Sequence, residues 1–425
     1  MKRIILISFL LTFAVNAQPG DRIPYPVLNY IFNSDILIIP SIESSVSIYY
    51  IYKIPYKELV FEKAGREYVA NLRLQIEIFD SSKSMVLREL KDSRISAENF
   101  EITIDKNNFL HDLINFELPP GNYEVRPTIS DLNSDRELPL KPDFINSSTI
   151  LNETIFHPVV IENHEVNCDS GLFYSLANFD GNIPFSQNQF SLLIPVADPS
   201  VEKLNVQIIS ATDTVLFENI RASSTMNLTA ERCGENIILS NNNRNVSTRN
   251  FILENVNRNL FESRITLKIE TGNESQNQDF DMNVIWVNKP WSLIDPEQAI
   301  ELLKYIANDE EISKLLEMEE AEYSRALIDY WKKFDPEPET SFNPLMLEYY
   351  ERIDFAAVEF RGLGKDNGIN TDRGKIYIRF GKPNDISRTS DTTGNIVETW
   401  IYANPGRKFT FVDRRGTGNF TLVEG

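Results

Sequence analysis

The sequence has few of the residues that build metal centres and covalent cross-links. Among 425 residues there are only two cysteines and three histidines. The cysteines, Cys168 and Cys233, are too few to form a thiolate metal site on their own. The histidines, His111, His157 and His164, lack the HExxH spacing of a zinc-binding helix. The sequence therefore predicts neither a metal nor another cofactor.

Long apolar runs are also missing. The longest, from Ile4 to Val15, is about a dozen residues, whereas a membrane-spanning helix needs roughly 20. Lys2 and Arg3 precede this run, and a small residue, Ala17, follows it. This layout predicts a signal peptide over residues 1–17 that is cleaved after Ala17. We therefore expect an exported protein, periplasmic or extracellular, with no transmembrane helix.

Positive charge is scarce. The chain has 42 Lys and Arg residues against 62 Asp and Glu residues, which gives a formal net charge of −20. The negative charge is distributed along the chain instead of being concentrated in a tail. Because such a surface repels phosphate groups, the composition argues against nucleic acid and anionic membrane surfaces as partners.

The two cysteines gain significance from the predicted export. Oxidising compartments allow a lone pair of thiols to join. Cys168 and Cys233 are therefore a candidate disulfide pair, and two free thiols are the alternative. A bond closing a loop of this length stabilises a fold by roughly 4 kcal/mol through the entropy of the unfolded chain.

The first two thirds of the chain has the pattern of short strands separated by turns. Residues 45–52 are rich in β-branched and aromatic side chains, and residues 72–79 alternate apolar with polar side chains. The same type of segment recurs at 191–196. We predict a multi-domain protein that begins with two tandem all-β, sandwich-like (Ig-like) units, over residues 18–155 and 156–289.

The pattern changes to a helical period near Pro290. Asp295 is a suitable N-cap, and Pro296 suits the first helical position. Apolar residues at helical spacing follow, and they predict a helical linker over residues 290–329.

A small α+β domain is predicted over residues 330–425. It begins with a helix that starts at Asn343-Pro344. Alternation in residues 375–380 then predicts a strand, and further strands are predicted around 398–402 and 408–412.

This last region resembles the GWxTD domain of exported bacterial proteins. The resemblance runs from Tyr330 to Val423, and Ile369 stands at the tryptophan position of the motif. It implies export and a β-rich region ahead of the domain, and it supplies no established activity or catalytic residues. The segments that carry it are Tyr330-Trp331, Asp335-Pro336, Glu348–Arg352, Gly368–Ile378, Gly381-Lys382-Pro383, Glu398-Thr399-Trp400 and Phe411-Val412-Asp413.

One group of polar residues in this domain is a candidate site. Adjacent strands could bring its carboxylates and guanidinium groups to one edge. Three interpretations are open: structural turns and ion pairs, a binding site for a ligand, or a carboxylate pair that acts as general acid and base. The group consists of Thr371, Asp372, Arg373, Glu398, Asp413, Arg414 and Arg415.

The leading functional hypothesis is a non-enzymatic binding protein of the bacterial envelope. Its partner would be a protein or another envelope component. One alternative is a hydrolase of an envelope polymer that uses the carboxylates of the C-terminal domain. Another is a structural subunit of a surface assembly.

Overall fold

The computed structural model describes most of the chain after residue 32. The predicted signal peptide, residues 1–17, and His164 lie outside the described residues. The described ranges are 33–41, 44–105, 108–134, 136–162, 168, 171–177, 179–211, 213–242, 244–362, 367–404 and 406–425.

The described chain divides into two compact units. The first, here called the β unit, contains the residues up to Asn288 and the segment Asp335–Pro344. The second, here called the α+β unit, contains Lys289–Phe334 and Leu345–Gly425.

Strands dominate the β unit, which confirms the prediction of a β-rich region. Two short helices interrupt them, α1 (Phe100–Ile104) and α2 (Ser147–Ile150). The strands are β1 (Asn33–Pro40), β2 (Val46–Pro55), β3 (Glu62–Ala64), β4 (Glu67–Asp80), β5 (Met85–Ala97), β6 (Phe109–Leu118), β7 (Asn122–Asp131), β8 (Arg136–Pro139), β9 (Asp143–Asn146), β10 (Val159–Glu162), β11 (Tyr174–Leu176), β12 (Ile183–Pro184), β13 (Phe190–Val196), β14 (Lys203–Ser210), β15 (Asp213–Met226), β16 (Leu228–Cys233), β17 (Asn236–Asn241), β18 (Thr248–Leu253), β19 (Ser263–Glu270) and β20 (Gln278–Ile285).

These strands form three sheets. A three-stranded sheet has the order β1-β2-β6, and a six-stranded sheet has the order β3-β4-β7-β8, with β5 on β4 and β9 on β7. The eleven-stranded sheet has the order β12-β20-β19-β14-β15-β18-β13-β10-β11-β17-β16. Strand β12 runs parallel to β20, whereas the other pairings are antiparallel.

The alternation predicted at residues 72–79 is confirmed in strand β4. Leu72, Leu74, Ile76 and Ile78 are buried, while the polar residues between them are partly exposed. One face of β4 therefore packs on the core, as the period of two requires.

Strand β2 is buried on both faces. Tyr50 belongs to a core cluster with residues of β4 and β7, whereas Tyr49 and Ile51 belong to a second cluster that includes Val159 and Leu239. Strand β2 thus contributes one face to each cluster, and the domain boundary at residue 155 stays a prediction. The Ig-like arrangement stays a prediction.

The two cysteines lie in the β unit and form a disulfide. Their Cα atoms are 6.2 Å apart, and the bond joins positions separated by 65 residues. Cys233 ends strand β16.

The α+β unit combines helices with a four-stranded antiparallel sheet. The helices are α3 (Pro296–Glu301), α4 (Asp309–Leu316), α5 (Tyr323–Trp331), α6 (Pro344–Glu359) and α7 (Asp372–Phe380). Short 3₁₀ turns lie at Trp291–Leu293, Leu302–Tyr305, Glu320–Glu322, Lys332–Phe334 and Gly368–Asn370. The sheet has the order β21 (Asp385–Ser390), β22 (Ile396–Tyr402), β23 (Arg407–Asp413) and β24 (Thr421–Glu424). Among the described residues, every helix is too short or too polar to span a bilayer.

The helices predicted in the linker belong to the core of this unit. Helix α3 begins as predicted, with Asp295 accepting from the backbone N–H groups of the next turn. The Tyr350 hydroxyl donates to the Ala299 carbonyl at 2.7 Å, and the Tyr349 hydroxyl donates to the Leu302 carbonyl at 2.6 Å. These bonds tie residues 290–329 to helix α6.

The strand predicted at residues 375–380 is wrong, since these residues belong to helix α7. Thr371 caps the helix by accepting from the Gly374 N–H, and Gly381 ends it with φ of 74°. The spacing of Arg373, Ile376 and Phe380 also suits one face of a helix. This short segment is therefore compatible with the period of two of a strand and with the period of about 3.6 of a helix. The cap selects the helix.

Candidate functional site

The predicted polar group lies in the α+β unit, between helix α7 and the sheet. Its first member, Thr371, is buried in the turn before α7. The Thr371 hydroxyl donates to the Gly368 carbonyl at 2.7 Å and accepts from the Gly374 N–H at 3.0 Å. Thr371 is therefore a helix cap whose hydrogen bonds remain within its own turn.

Two glycines of this turn lie in close contact. A Cβ on Gly374 would lie 2.1 Å from the Gly368 carbonyl oxygen, and a Cβ on Gly368 would lie 2.0 Å from the Ala356 carbonyl oxygen. Only glycine lets the backbone approach so closely. The two glycines bring the start of α7 against helix α6 and thereby place Arg373.

Arg373 and Glu398 form a buried ion pair. Arg373 Nη1 lies 3.3 Å from Glu398 Oε1, and the two side chains are 10% and 3% exposed. Arg388 donates to Glu398 Oε2, and the Trp400 indole N–H donates to Oε1 at 2.9 Å. Glu398 therefore accepts from three side chains.

The charge of Glu398 is held in place by these donors. Burial opposes its ionisation, but the hydrogen bond from Arg388 and the positive charge of Arg373 outweigh burial and hold the pKa of Glu398 below its usual range. A general acid or base must exchange protons near the working pH. The Glu398 carboxylate is therefore suited to remain ionised as the counter-ion of Arg373 and Arg388.

The Arg373 guanidinium also packs against aromatic rings. It lies 4.0 Å from the centre of the Phe420 ring and 5.2 Å from that of Phe360. Its Nη2 donates to the Gly418 carbonyl at 3.3 Å. Cation–π contacts of this kind are strengthened when the cation is removed from water.

Asp413 organises the turn that follows strand β23. Its carboxylate accepts from the backbone N–H groups of Arg415 at 3.1 Å, Thr417 at 3.3 Å and Gly418 at 2.7 Å. Burial opposes ionisation, but these N–H groups outweigh it and hold the pKa of Asp413 below its usual value. Asp413 thus stabilises the turn and makes no ion pair among the described residues.

Asp372 has a similar role at the other side of the turn. Its Oδ2 accepts from the Leu422 N–H at 2.9 Å, which joins helix α7 to strand β24. Lys375 Nζ is 4.0 Å from Oδ1.

The structure places Arg414 and Arg415 differently from the other members of the group. Both are exposed on the turn that Asp413 holds, and neither forms an ion pair with a described residue. The group therefore separates into a satisfied interior of five residues and an exposed pair of arginines.

Sequence reasoning missed Arg388, Trp400 and Phe420 as partners of the group. Arg388 lies directly opposite Glu398 in the pairing of β21 with β22. The sequence carried a signal for Arg388. The turn Asp391–Gly394 sets the register of the hairpin and so places residues 388 and 398 opposite each other. Phe420 carries no such local signal.

No three described Asp, Glu, His or Cys side chains converge as metal ligands. The histidines His111 and His157 are both in the β unit, far along the chain from the polar group.

Comparisons with known proteins add one informative match. No curated protein matches the chain. One solved chain, from a structure described as the complete structure of manganese lipoxygenase of Gaeumannomyces graminis and partial structure of zonadhesin of Komagataella pastoris, aligns with 59% of this chain and 93% of its own at 11% identity. Its TM-score of 0.12 is too low to carry an argument about fold. The sequence also matches a family model: residues 269–424 match that of the GWxTD domain.

Proposed function

We propose that this protein is an exported, non-enzymatic binding protein whose α+β unit contacts a protein or another component of the bacterial envelope. The observation that carries the proposal is the division within the polar group. Its three carboxylates are occupied by internal donors, whereas Arg414 and Arg415 are exposed on a turn held in shape by Asp413.

The exposed arginine pair suits recognition of a partner. Arginine presents five N–H donors in a planar fork that matches carboxylates. The turn is held by three backbone hydrogen bonds to Asp413, so little backbone freedom is lost on binding. Because two adjacent guanidinium groups form a local positive surface, we expect an acidic partner surface to dock here.

Export is part of the proposal. The predicted signal peptide and the disulfide between Cys168 and Cys233 both favour an oxidising compartment. Periplasmic and extracellular locations are equally compatible with these two features.

The test is affinity capture from native envelope with the mature protein. A double variant, Arg414→Ala with Arg415→Ala, removes the pair and leaves Asp413 intact. The matched control is Lys332→Ala with Lys333→Ala, which removes two exposed adjacent charges elsewhere in the same unit. We expect a partner that wild type and the lysine control retain and the arginine variant loses.

Two results would oppose the proposal. A partner retained equally by the arginine variant would show that this turn is not the contact surface. Turnover of an envelope polymer by wild type, lost in a folded Glu398→Gln variant, would favour the hydrolase.

A further inference from the structure

A cavity of about 390 Å³ lies within the β unit, beside strand β1. Its lining is mainly apolar and includes Leu37, Ile39, Phe156, Leu176 and Phe280. Protein interiors normally close such space, so an apolar cavity of this size is suited to an apolar ligand.

The cavity adjoins a polar cleft of about 310 Å³. The two share the lining residues Asp35, Ile36, His157 and Gly181. Asp143 and Asp180 also line the cleft. An apolar interior thus lies next to an acidic rim.

The three aspartates of this rim lack a balancing cation. None of Asp35, Asp143 and Asp180 forms an ion pair with a described residue. Burial and the neighbouring charge of Asp180 raise the pKa of Asp35 to about 7 and also raise the pKa of Asp143. Lys141 partly opposes the shift at Asp143 and Asp180. Asp35 and Asp143 are half-buried and Asp180 is exposed, so the first two carboxylates are partly withdrawn from water without a balancing charge, a cost that a bound cation would reduce.

His157 does not supply that cation. Desolvation lowers the pKa of His157, so its ring stays neutral at neutral pH. The ring Nδ1 lies 3.0 Å from the Pro158 carbonyl oxygen, and the ring edge packs against Phe280.

Tyr50 provides an independent sign that a polar partner is missing. Its side chain is fully buried, and its hydroxyl has no hydrogen-bond partner of acceptable geometry among the described residues. The hydroxyl lies near Ser34, which lines the cleft, and the charges of Asp143 and Asp180 act with burial to raise the pKa of Tyr50. A buried hydroxyl without a partner is costly, and this one lies close to Ser34 at the edge of the acidic cleft.

We propose that this cavity binds a small amphiphilic cation, with its apolar body among Leu37, Leu176 and Phe280 and its protonated amino group beside the acidic rim that carries Asp35, Asp143 and Asp180. An organic cation suits the site better than a metal ion, because no three described carboxylate or imidazole groups converge as metal ligands. This inference goes beyond the proposed function and concerns the β unit alone, so it does not depend on Arg414 or Arg415.

The test is isothermal titration calorimetry of the mature full chain with n-octylamine at pH 7.5. 1-Octanol and octanoate, which carry the same chain with a neutral and an anionic head group, are the comparison ligands. We expect octylamine to bind at least tenfold more tightly than octanol and octanoate not to bind.

Variants separate the two parts of the site. The double variant Asp143→Asn, Asp180→Asn is expected to bind octylamine at least tenfold more weakly than wild type does. Its affinity for octanol is expected to be unchanged. Because the substitution removes two carboxylates that repel each other and keeps their size, this variant is expected to fold. The matched control, Asp213→Asn with Glu274→Gln, removes two exposed charges of the β unit and is expected to bind octylamine like wild type.

Three results would overturn the proposal. One is no binding of octylamine to wild type. Another is equal binding of octylamine and octanol. The third is undiminished octylamine binding by a folded Asp143→Asn, Asp180→Asn variant.

Discussion

Arg373 and Glu398 form an ion pair that joins helix α7 to strand β22, with Arg373 Nη1 3.3 Å from Glu398 Oε1. The pair is buried, and Trp400 and Arg388 supply further donors to the same carboxylate. Removing one partner of such a pair leaves the other charge buried without compensation.

Glu398→Gln should therefore lower the free energy of unfolding of the α+β unit by about 3 kcal/mol. Urea denaturation followed by tryptophan fluorescence measures this, since Trp291, Trp331 and Trp400 lie in that unit. The matched control is Glu424→Gln. Because Glu424 forms an exposed ion pair with Lys408, this substitution should hardly change the free energy of unfolding. Equal effects of the two substitutions would contradict a structural role for Glu398.

Gly374→Ala should destabilise the unit although it lies within a helix. Alanine normally stabilises a helix interior by about 1 kcal/mol relative to glycine. At this position the new Cβ would lie 2.1 Å from the Gly368 carbonyl oxygen, so the backbone must move, at a cost of about 3 kcal/mol. Urea midpoints of wild type and variant measure the sign of the change.

Gly416→Ala is the control for that substitution. Gly416 has φ of 63°, and no atom lies within 4 Å of the added Cβ. Only the left-handed backbone conformation therefore disfavours alanine, and it should lower the free energy of unfolding by about 1 kcal/mol. A stabilised Gly374→Ala variant would refute the close contact between the two glycines.

Asp354 should make the stability of the α+β unit depend on pH. Burial raises its pKa from 3.8 to about 6, although the backbone N–H groups of Trp291 and Ser292 donate to it. Between pH 4 and 6 the folded state binds more protons than the unfolded state, so stability decreases as pH rises through this window.

Asp354→Asn removes that proton equilibrium. Melting temperatures of wild type and variant between pH 4 and 7 provide the measurement. We expect the melting temperature of the variant to increase relative to that of wild type as pH rises from 4 to 6. Above pH 6 the difference should level off. A difference that is constant over this range would contradict a raised pKa.

The disulfide should contribute substantially to the stability of the β unit. Replacing Cys168 and Cys233 with serine opens a loop of 65 residues and should lower the free energy of unfolding by about 4 kcal/mol. Urea denaturation with and without a reductant measures the loss. The reductant should reproduce it in wild type and have no effect on the double variant.

Several local features were predictable because neighbouring residues determine them. The alternation from Leu72 to Ile78 predicted which face of β4 is buried, and Asp295 with Pro296 predicted the start of α3. The helix beginning at Asn343-Pro344 was confirmed as α6. In each case the pattern extends over enough residues to distinguish a period of two from a helical one.

Helix α7 shows where local patterns fail. Residues 375–380 satisfy both periods, and the sequence alone favoured a strand. The choice depends on the Thr371 cap and on the close approach of Gly368 to the Ala356 carbonyl oxygen, which exists only when the start of α7 packs against α6. Tertiary packing outweighs a short apolar pattern because it adds burial and hydrogen bonds that the isolated segment lacks.

By itself, the sequence determined the acidic charge, the β-rich first part and the polar residues that would meet near helix α7. Only the tertiary structure decided the partners of each carboxylate: Arg373 for Glu398, backbone N–H groups for Asp413, and none with opposite charge among the described residues for Asp35. Residue type sets which charges a chain carries. Whether a charge is neutralised depends on groups distant in sequence, because burial and pairing act through space.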